Sequence, residues 1–100
     1  MGGAAAYTFT AELWRWKGDS AWHFVTLPFD VADEIEEVMH GRTNGFGSVK
    51  VSVTVGSTTW ATSLFPDTKA ESYLLPVKAQ VRSREGLAAG SAVTVHLTLV

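Results

Sequence analysis

The sequence predicts an α+β domain that is mainly β: a small six-stranded split β-barrel made of two internal strand–strand–helix–strand repeats with two short helices. Three observations predict it. Apolar and polar residues alternate over most of the chain, as half-buried strands require. Two Leu-Pro pairs, Leu27-Pro28 and Leu75-Pro76, each stand between an alternating run and a segment of helical character. After each helical segment comes Gly-Ser and a second alternating run, at Gly47-Ser48 and again at Gly90-Ser91. The same elements in the same order read as a duplication, and two such halves can close into one barrel that leaves few free sheet edges.

Each element follows from its residues. "YTFTAEL" puts Tyr7, Phe9, Ala11 and Leu13 on one face of a strand and Thr8, Thr10 and Glu12 on the other. Gly18, Asp19 and Ser20 supply a turn, and a second strand is expected from about Trp22 to Leu27. Pro28 opens a helix, because proline suits a first turn whose N–H groups have no partner in any case. Asp30, Asp33 and Glu34 stand where the helix dipole favours negative charge. Val31, Ile35, Val38 and Met39 form its apolar stripe, and Gly41 can end it in the left-handed conformation. Val49, Val51, Val53 and Val55 share one face of the next strand. Gly56-Ser57 then fits a two-residue primed turn, which sets Val55 opposite Thr58 and Trp60 opposite Val53 on the core side. Pro66 and Asp67 are expected to break the pattern. A short strand near Tyr73–Leu75 leads to Pro76, which opens a second, shorter helix ending near Gly86. The last strand turns Val93, Val95, Leu97 and Leu99 inward and Thr94, His96 and Thr98 outward.

Size and composition bound the rest. A chain of 100 residues makes one domain, here taken as residues 7–100 after a flexible leader of residues 1–6. Apolar content of 46% and four tryptophans argue for a packed core and against disorder. The absence of cysteine excludes disulfides, thiolate metal sites and a cysteine nucleophile. No apolar run reaches the ~20 residues needed to cross a bilayer as a helix, and "MGGAAAY" has no basic region of a secretion signal. A cytoplasmic location is expected. Because both halves of the barrel lie in one chain, a monomer is expected too.

The order of "VTLPFDVADEI", "GSVKVSVTVGSTTWATSLFP" and "YLLPVKAQVRSREGLAAGSAVTVHL" resembles the bacterial domain-of-unknown-function family 1905, from about Tyr7 to Leu99. The valine strand and glycine hairpin before Trp60, the Leu-Pro before the helix, Arg82 and the closing alternating strand carry the resemblance. That family commonly has Gly-Asp before the last strand. Here Gly90 is followed by Ser91, whose hydroxyl can make the same kind of local bond to the backbone. At the level of architecture the family resembles the split barrels of AbrB- and MazE-type regulators. The resemblance implies a fold and no settled activity.

The candidate sites divide by chemistry. Lys78, Arg82 and Arg84 make the second helix basic, and an AbrB-like reading would set them on phosphates. Against it, three cations make a small footprint, and Asp30, Asp33, Glu34, Glu36 and Glu37 on the first helix would repel a duplex. Cations near a helix C-terminus also satisfy its dipole and last carbonyls. His23, His40 and His96 lie on separate elements, and Glu36 with His40 offers only an i, i+4 pair, so no metal and no cofactor are expected. No Gly-x-Ser-x-Gly elbow is present, and exposed helix carboxylates lack the burial that separates an acid from a base, so no catalytic residues are expected. The best local hint is aromatic: Trp14 and Trp16 fall on the face opposite Leu13, beside Arg15 and Lys17. They form a contact surface unless the first helix covers them.

These readings favour a non-catalytic binding or protein-interaction module using Trp14 and Trp16 or a pocket at a barrel end. The alternatives are a nucleic-acid-binding domain using Lys78, Arg82 and Arg84, and a small-ligand-binding or hydrolytic domain.

Overall fold

A computed structural model describes residues 5–18, 21–40 and 47–100. The alternating runs become β1 (Ala6–Arg15), β2 (His23–Thr26), β3 (Val49–Val55), β4 (Thr58–Asp67), β5 (Ser72–Pro76) and β6 (Ala92–Leu99). Between them stand α1 (Phe29–Met39) and α2 (Ala79–Glu85). The strands close, all antiparallel, in the order β1-β2-β5-β4-β3-β6. Mainly β with two short helices, the architecture is the one the alternation predicts. β1 begins slightly earlier than expected: Ala6 pairs with Thr98, and Ala5 O accepts the Leu99 N–H at 3.0 Å.

The interior is filled by the inward rows. Leu13, Val25, Val51, Val53, Leu64, Leu75 and Val95 are wholly buried, and Ile35 of α1 and Val81 of α2 join the same cluster. At roughly 25 cal/mol per Å², each such side chain contributes on the order of 1.5–3 kcal/mol. α1 packs on β5 and α2 on β4. In the β3–β4 hairpin, Val55 pairs with Thr58 and Val53 with Trp60, the register that the Gly56-Ser57 turn dictates. Gly56 has φ +58°, within the left-handed region such a turn demands.

Some expectations need correction. The stripe of α1 is Ala32 and Ile35, with Val31 and Met39 half-buried, whereas Val38 is exposed. Ala32 N–H donates to Pro28 O at 2.9 Å, so the helix starts one residue after the proline, and its axis turns Val38 to solvent. The expected terminator Gly41 lies outside the described residues, as do Asp19 and Ser20 of the first turn. Pro66 does not end β4, which runs on to Asp67. By then the β3 partner has ended at Val49–Leu64, so a missing N–H leaves no ladder bond unmade on that side.

Pro76 also stays in a strand, facing Phe24. That is a non-hydrogen-bonded pair of the β2–β5 ladder, where proline costs no bond to β2. α2 therefore opens at Ala79, with Lys78 at its N-cap. This moves the internal repeat. Val25 sits opposite Leu75, and around that pair Leu27 N–H donates to Tyr73 O while Val77 N–H donates to His23 O, each at 3.0 Å. Leu27 thus corresponds to Val77 and Pro28 to Lys78, two residues beyond the match of the Leu-Pro letters. The pseudo-twofold is real, and it extends to the partners: Trp14 opposite Phe24 is repeated as Phe65 opposite Leu74, and Phe9 opposite Val95 as Trp60 opposite Val53.

Candidate functional site

β1 and β2 carry aromatic residues at every outward position near their shared end. Trp14 lies opposite Phe24, and Trp16 N–H donates to Trp22 O at 2.8 Å, so the pleat sets all four rings on the outside of the barrel. They form one cluster around Phe24: its ring centroid is 5.3 Å from Trp14, 6.1 Å from Trp16 in an edge-on pose and 6.0 Å from Trp22 in a stacked one. Trp14 and Trp16 are 6.2 Å apart. Such tilted and edge-on contacts suit the ring quadrupole. The indole of Trp14 is fixed by a bond to Thr26 Oγ1 at 2.9 Å.

Burial within this cluster is graded. Phe24 is 9% exposed and Trp14 half-buried, while Trp16 is 48% and Trp22 57% exposed. The first helix does not cover them, because α1 docks on β5. What shields Trp14 is its own aromatic neighbours. The contact-surface reading of Trp14 and Trp16 gains a third member, Trp22, and a floor, Phe24. The alternation that put Trp14 and Trp16 outside also puts Trp22 and Phe24 there; reading β2 for its inward residues alone hides this.

A groove of about 530 Å³ adjoins the cluster at Trp22 and runs between β2, β4 and the start of α2. Trp60 and Phe65 line it, with Lys78 and Arg82 on its helical side and His23 at its base. Arg82 is anchored: its Nε donates to Val77 O at 3.2 Å and its Nη2 to Ala21 O at 3.5 Å. It thus reaches back toward the start of α2 and does not serve the last helix carbonyls, as the dipole reading expected. Arg84 faces elsewhere, over a shallow hollow beside Thr58 and Thr59 that it shares with Lys78. The three cations of the basic helix therefore serve two different depressions.

Where the pseudo-twofold carries the helix side of this groove, with Phe29, Ala32 and Tyr73 in place of Ala79, Arg82 and His23, lies a hollow of opposite chemistry whose far wall is the end of β4 and not β1. Between α1, the end of β4 and the start of β5, a hollow of about 450 Å³ is lined by Asp33, Glu36, Asp67 and Glu71 around Tyr73. Burial raises the Tyr73 phenol above its ordinary value, and the charge of Glu36 adds to the shift. His23 and Tyr73 occupy matching places about the axis, as the reciprocal bonds at Val25 and Leu75 require.

The remaining candidates resolve into structure. Buried His23 donates through Nδ1 to Ala21 O at 2.7 Å, which fixes its tautomer, since a carbonyl can only accept. His96 pairs with Thr8 Oγ1 at 2.9 Å on the outer surface, and His40 is the C-cap of α1. Among the described residues no three His, Cys, Asp or Glu side chains gather as a metal set would. Glu85 ties α2 to the hairpin turn, accepting from Thr58 Oγ1 at 2.5 Å and from Ser57 Oγ at 3.3 Å. The Thr58 bond holds the Glu85 carboxyl below its ordinary value; burial opposes this, and Ser57 and Arg84 add to it. Ser91 makes the local bond expected of it, its Oγ accepting from Ala88 N–H at 3.0 Å.

Among the described residues, the fold and surface define a closed six-stranded barrel domain with a solvent-facing aromatic cluster and a pair of oppositely charged grooves. The chain belongs to the family described as domain of unknown function DUF1905, whose model matches residues 9–97. No curated protein matches the sequence. No helix among the described residues is long and apolar enough to cross a membrane.

Proposed function

We propose that this domain is a non-catalytic protein-interaction module whose contact surface is the cluster of Trp14, Trp16 and Trp22 over Phe24. The observation that carries the reading is the exposure of Trp16 and Trp22, 48% and 57%, beside a buried ring that holds them in place. Large aromatic side chains left in water cost free energy, whereas clustered on a rigid sheet they supply the anchors that dominate protein interfaces.

The test is affinity capture from the source cell with wild type, a W16A/W22A double variant and a T10A/T94A control on the opposite outer face. A partner retained by wild type and the control and lost by the double variant supports the reading. Capture that ignores Trp16 and Trp22 overturns it. Duplex DNA titrated at low salt tests the alternative: binding that weakens steeply with salt and requires Lys78 and Arg84 would replace the interaction module with a nucleic-acid reader.

A further inference from the structure

We propose that the groove bounded by Trp22, Trp60, Phe65, Lys78 and Arg82 is a binding site for a small carboxylate-bearing ligand with a flat apolar body. The groove shares Trp22 with the contact face proposed above but uses neither Trp14 nor Trp16, and it stands without that reading.

The groove is built, with its polar groups fixed in advance. Its volume of about 530 Å³ falls in the range of small-molecule sites, which pair apolar walls with a few oriented polar groups. Two indoles and a phenyl ring supply the walls, Phe65 being 45% exposed and Trp22 57%. Flat apolar bodies stack on such rings at little cost in ordering. Arg82 supplies the anchor. Nε donates to Val77 O at 3.2 Å and Nη2 lies 3.5 Å from Ala21 O, so the guanidinium is held mainly through Nε, and among the described residues Nη1 has no protein partner. The outer Nη1–Nη2 edge is the geometry that accepts a carboxylate. Lys78 adds a second positive charge on the same wall, and no acidic side chain among the described residues lines the groove. His23 lies at the base with Nδ1 committed to Ala21 O, which leaves Nε2 as its remaining polar atom for a ligand hydroxyl.

The hollow beside α1, where the pseudo-twofold carries the helix side of the groove, sharpens the choice of charge. There the lining carries Asp33, Glu36, Asp67 and Glu71 and no cation. One duplicated framework thus presents one cationic aromatic groove and one acidic groove, so an anion is selected for the first and rejected by the second on Coulomb grounds alone.

The probe is 2-naphthoate, titrated into the full chain and followed by the indole N–H resonances of Trp22 and Trp60, with 2-naphthalenemethanol as its uncharged counterpart. Naphthoate is expected to bind and move both resonances, with affinity about tenfold above the alcohol, the yield of one charged hydrogen-bonded contact. R82Q is expected to remove that tenfold advantage and K78Q to cost about threefold. W16A is expected to leave naphthoate binding unchanged. If R82Q disturbs the fold by freeing Val77 O and Ala21 O, K78Q and the alcohol carry the decision. Absence of naphthoate binding at millimolar concentration, equal affinity for the alcohol, or an unaltered K78Q titration would each overturn the proposal.

Discussion

The barrel has two outer walls built from the same strand geometry and dressed in opposite chemistry. On the wall of β1, β6, β3 and β4 the outward positions include Thr8, Thr10, Thr94, His96, Thr54 and Thr59, which bond to one another in cross-strand pairs: Thr8 with His96, Thr10 with Thr94 and Thr54 with Thr59, all within 2.9 Å. On the wall where β1 meets β2 the outward positions are Trp14, Trp16, Trp22 and Phe24. β1 belongs to both, changing from threonine to tryptophan along its length. The threonine wall satisfies itself and meets water. The aromatic wall only half covers itself, and the exposed remainder is what points to a partner. A strand's alternation therefore says which side faces out, while the residue types placed there say whether the outside is finished.

Substitutions along the two walls are expected to differ in cost as the walls differ in packing. Phe24→Ala removes the buried ring on which three indoles rest and is expected to cost about 3 kcal/mol, as for a core phenylalanine, measured by denaturant unfolding. A cost under about 1 kcal/mol would mean the cluster is not a packed unit. Gly56→Ala comes next, at roughly 1–2 kcal/mol for a non-glycine residue in the left-handed region. Its Cβ would also collide with the Glu85 carboxylate and disturb the tie to Thr58. Trp14→Phe keeps the ring and deletes the indole donor to Thr26, an expected loss of about 1 kcal/mol. Smallest is Thr10→Ala on the finished wall, about 0.5 kcal/mol, one cross-strand hydroxyl pair.

Acid unfolding adds a separate prediction. The Glu85 carboxyl binds a proton less readily folded than unfolded, so its contribution is fully present above the ordinary carboxyl value of 4.5 and is lost as the pH falls through the lower folded value. Glu85→Gln is therefore expected to flatten the fall in stability below pH 4.5, read as midpoints of urea unfolding at stepped pH. An unchanged slope would show that the Thr58 bond does not persist in solution.

Much of the fold is legible in the sequence, for a reason specific to its valine hairpin. With one face buried and a two-residue turn at Gly56-Ser57, a slip by one residue would drive Val51 and Val53 into water, so Val53 has to face Trp60. The repeat is legible as order and misleading as register. Leu27-Pro28 and Leu75-Pro76 share letters, but hydrogen bonding about Val25 and Leu75 decides equivalence, and it pairs Pro28 with Lys78. Helix limits follow from that, since Pro76 could stay in β5 at a position owing no bond to β2. At the candidate sites, Trp14 and Trp16 are legible because they alternate with Leu13. The groove is not. Trp22, Trp60, Phe65 and Arg82 come from β4, α2 and the start of β2, and only barrel closure brings them to one place, whereas a pattern along the chain reports one element at a time.

The aromatic wall is open to solvent, whereas the threonine wall pairs its own polar groups. Oxidative footprinting of the four tryptophans, with modification located by peptide mass spectrometry, reads that openness one indole at a time. Trp16 and Trp22 are expected to oxidise fastest, with Trp14 and Trp60 several-fold slower, in keeping with their exposure. Protection of Trp16 and Trp22 to the level of Trp14 in the isolated chain would contradict the account.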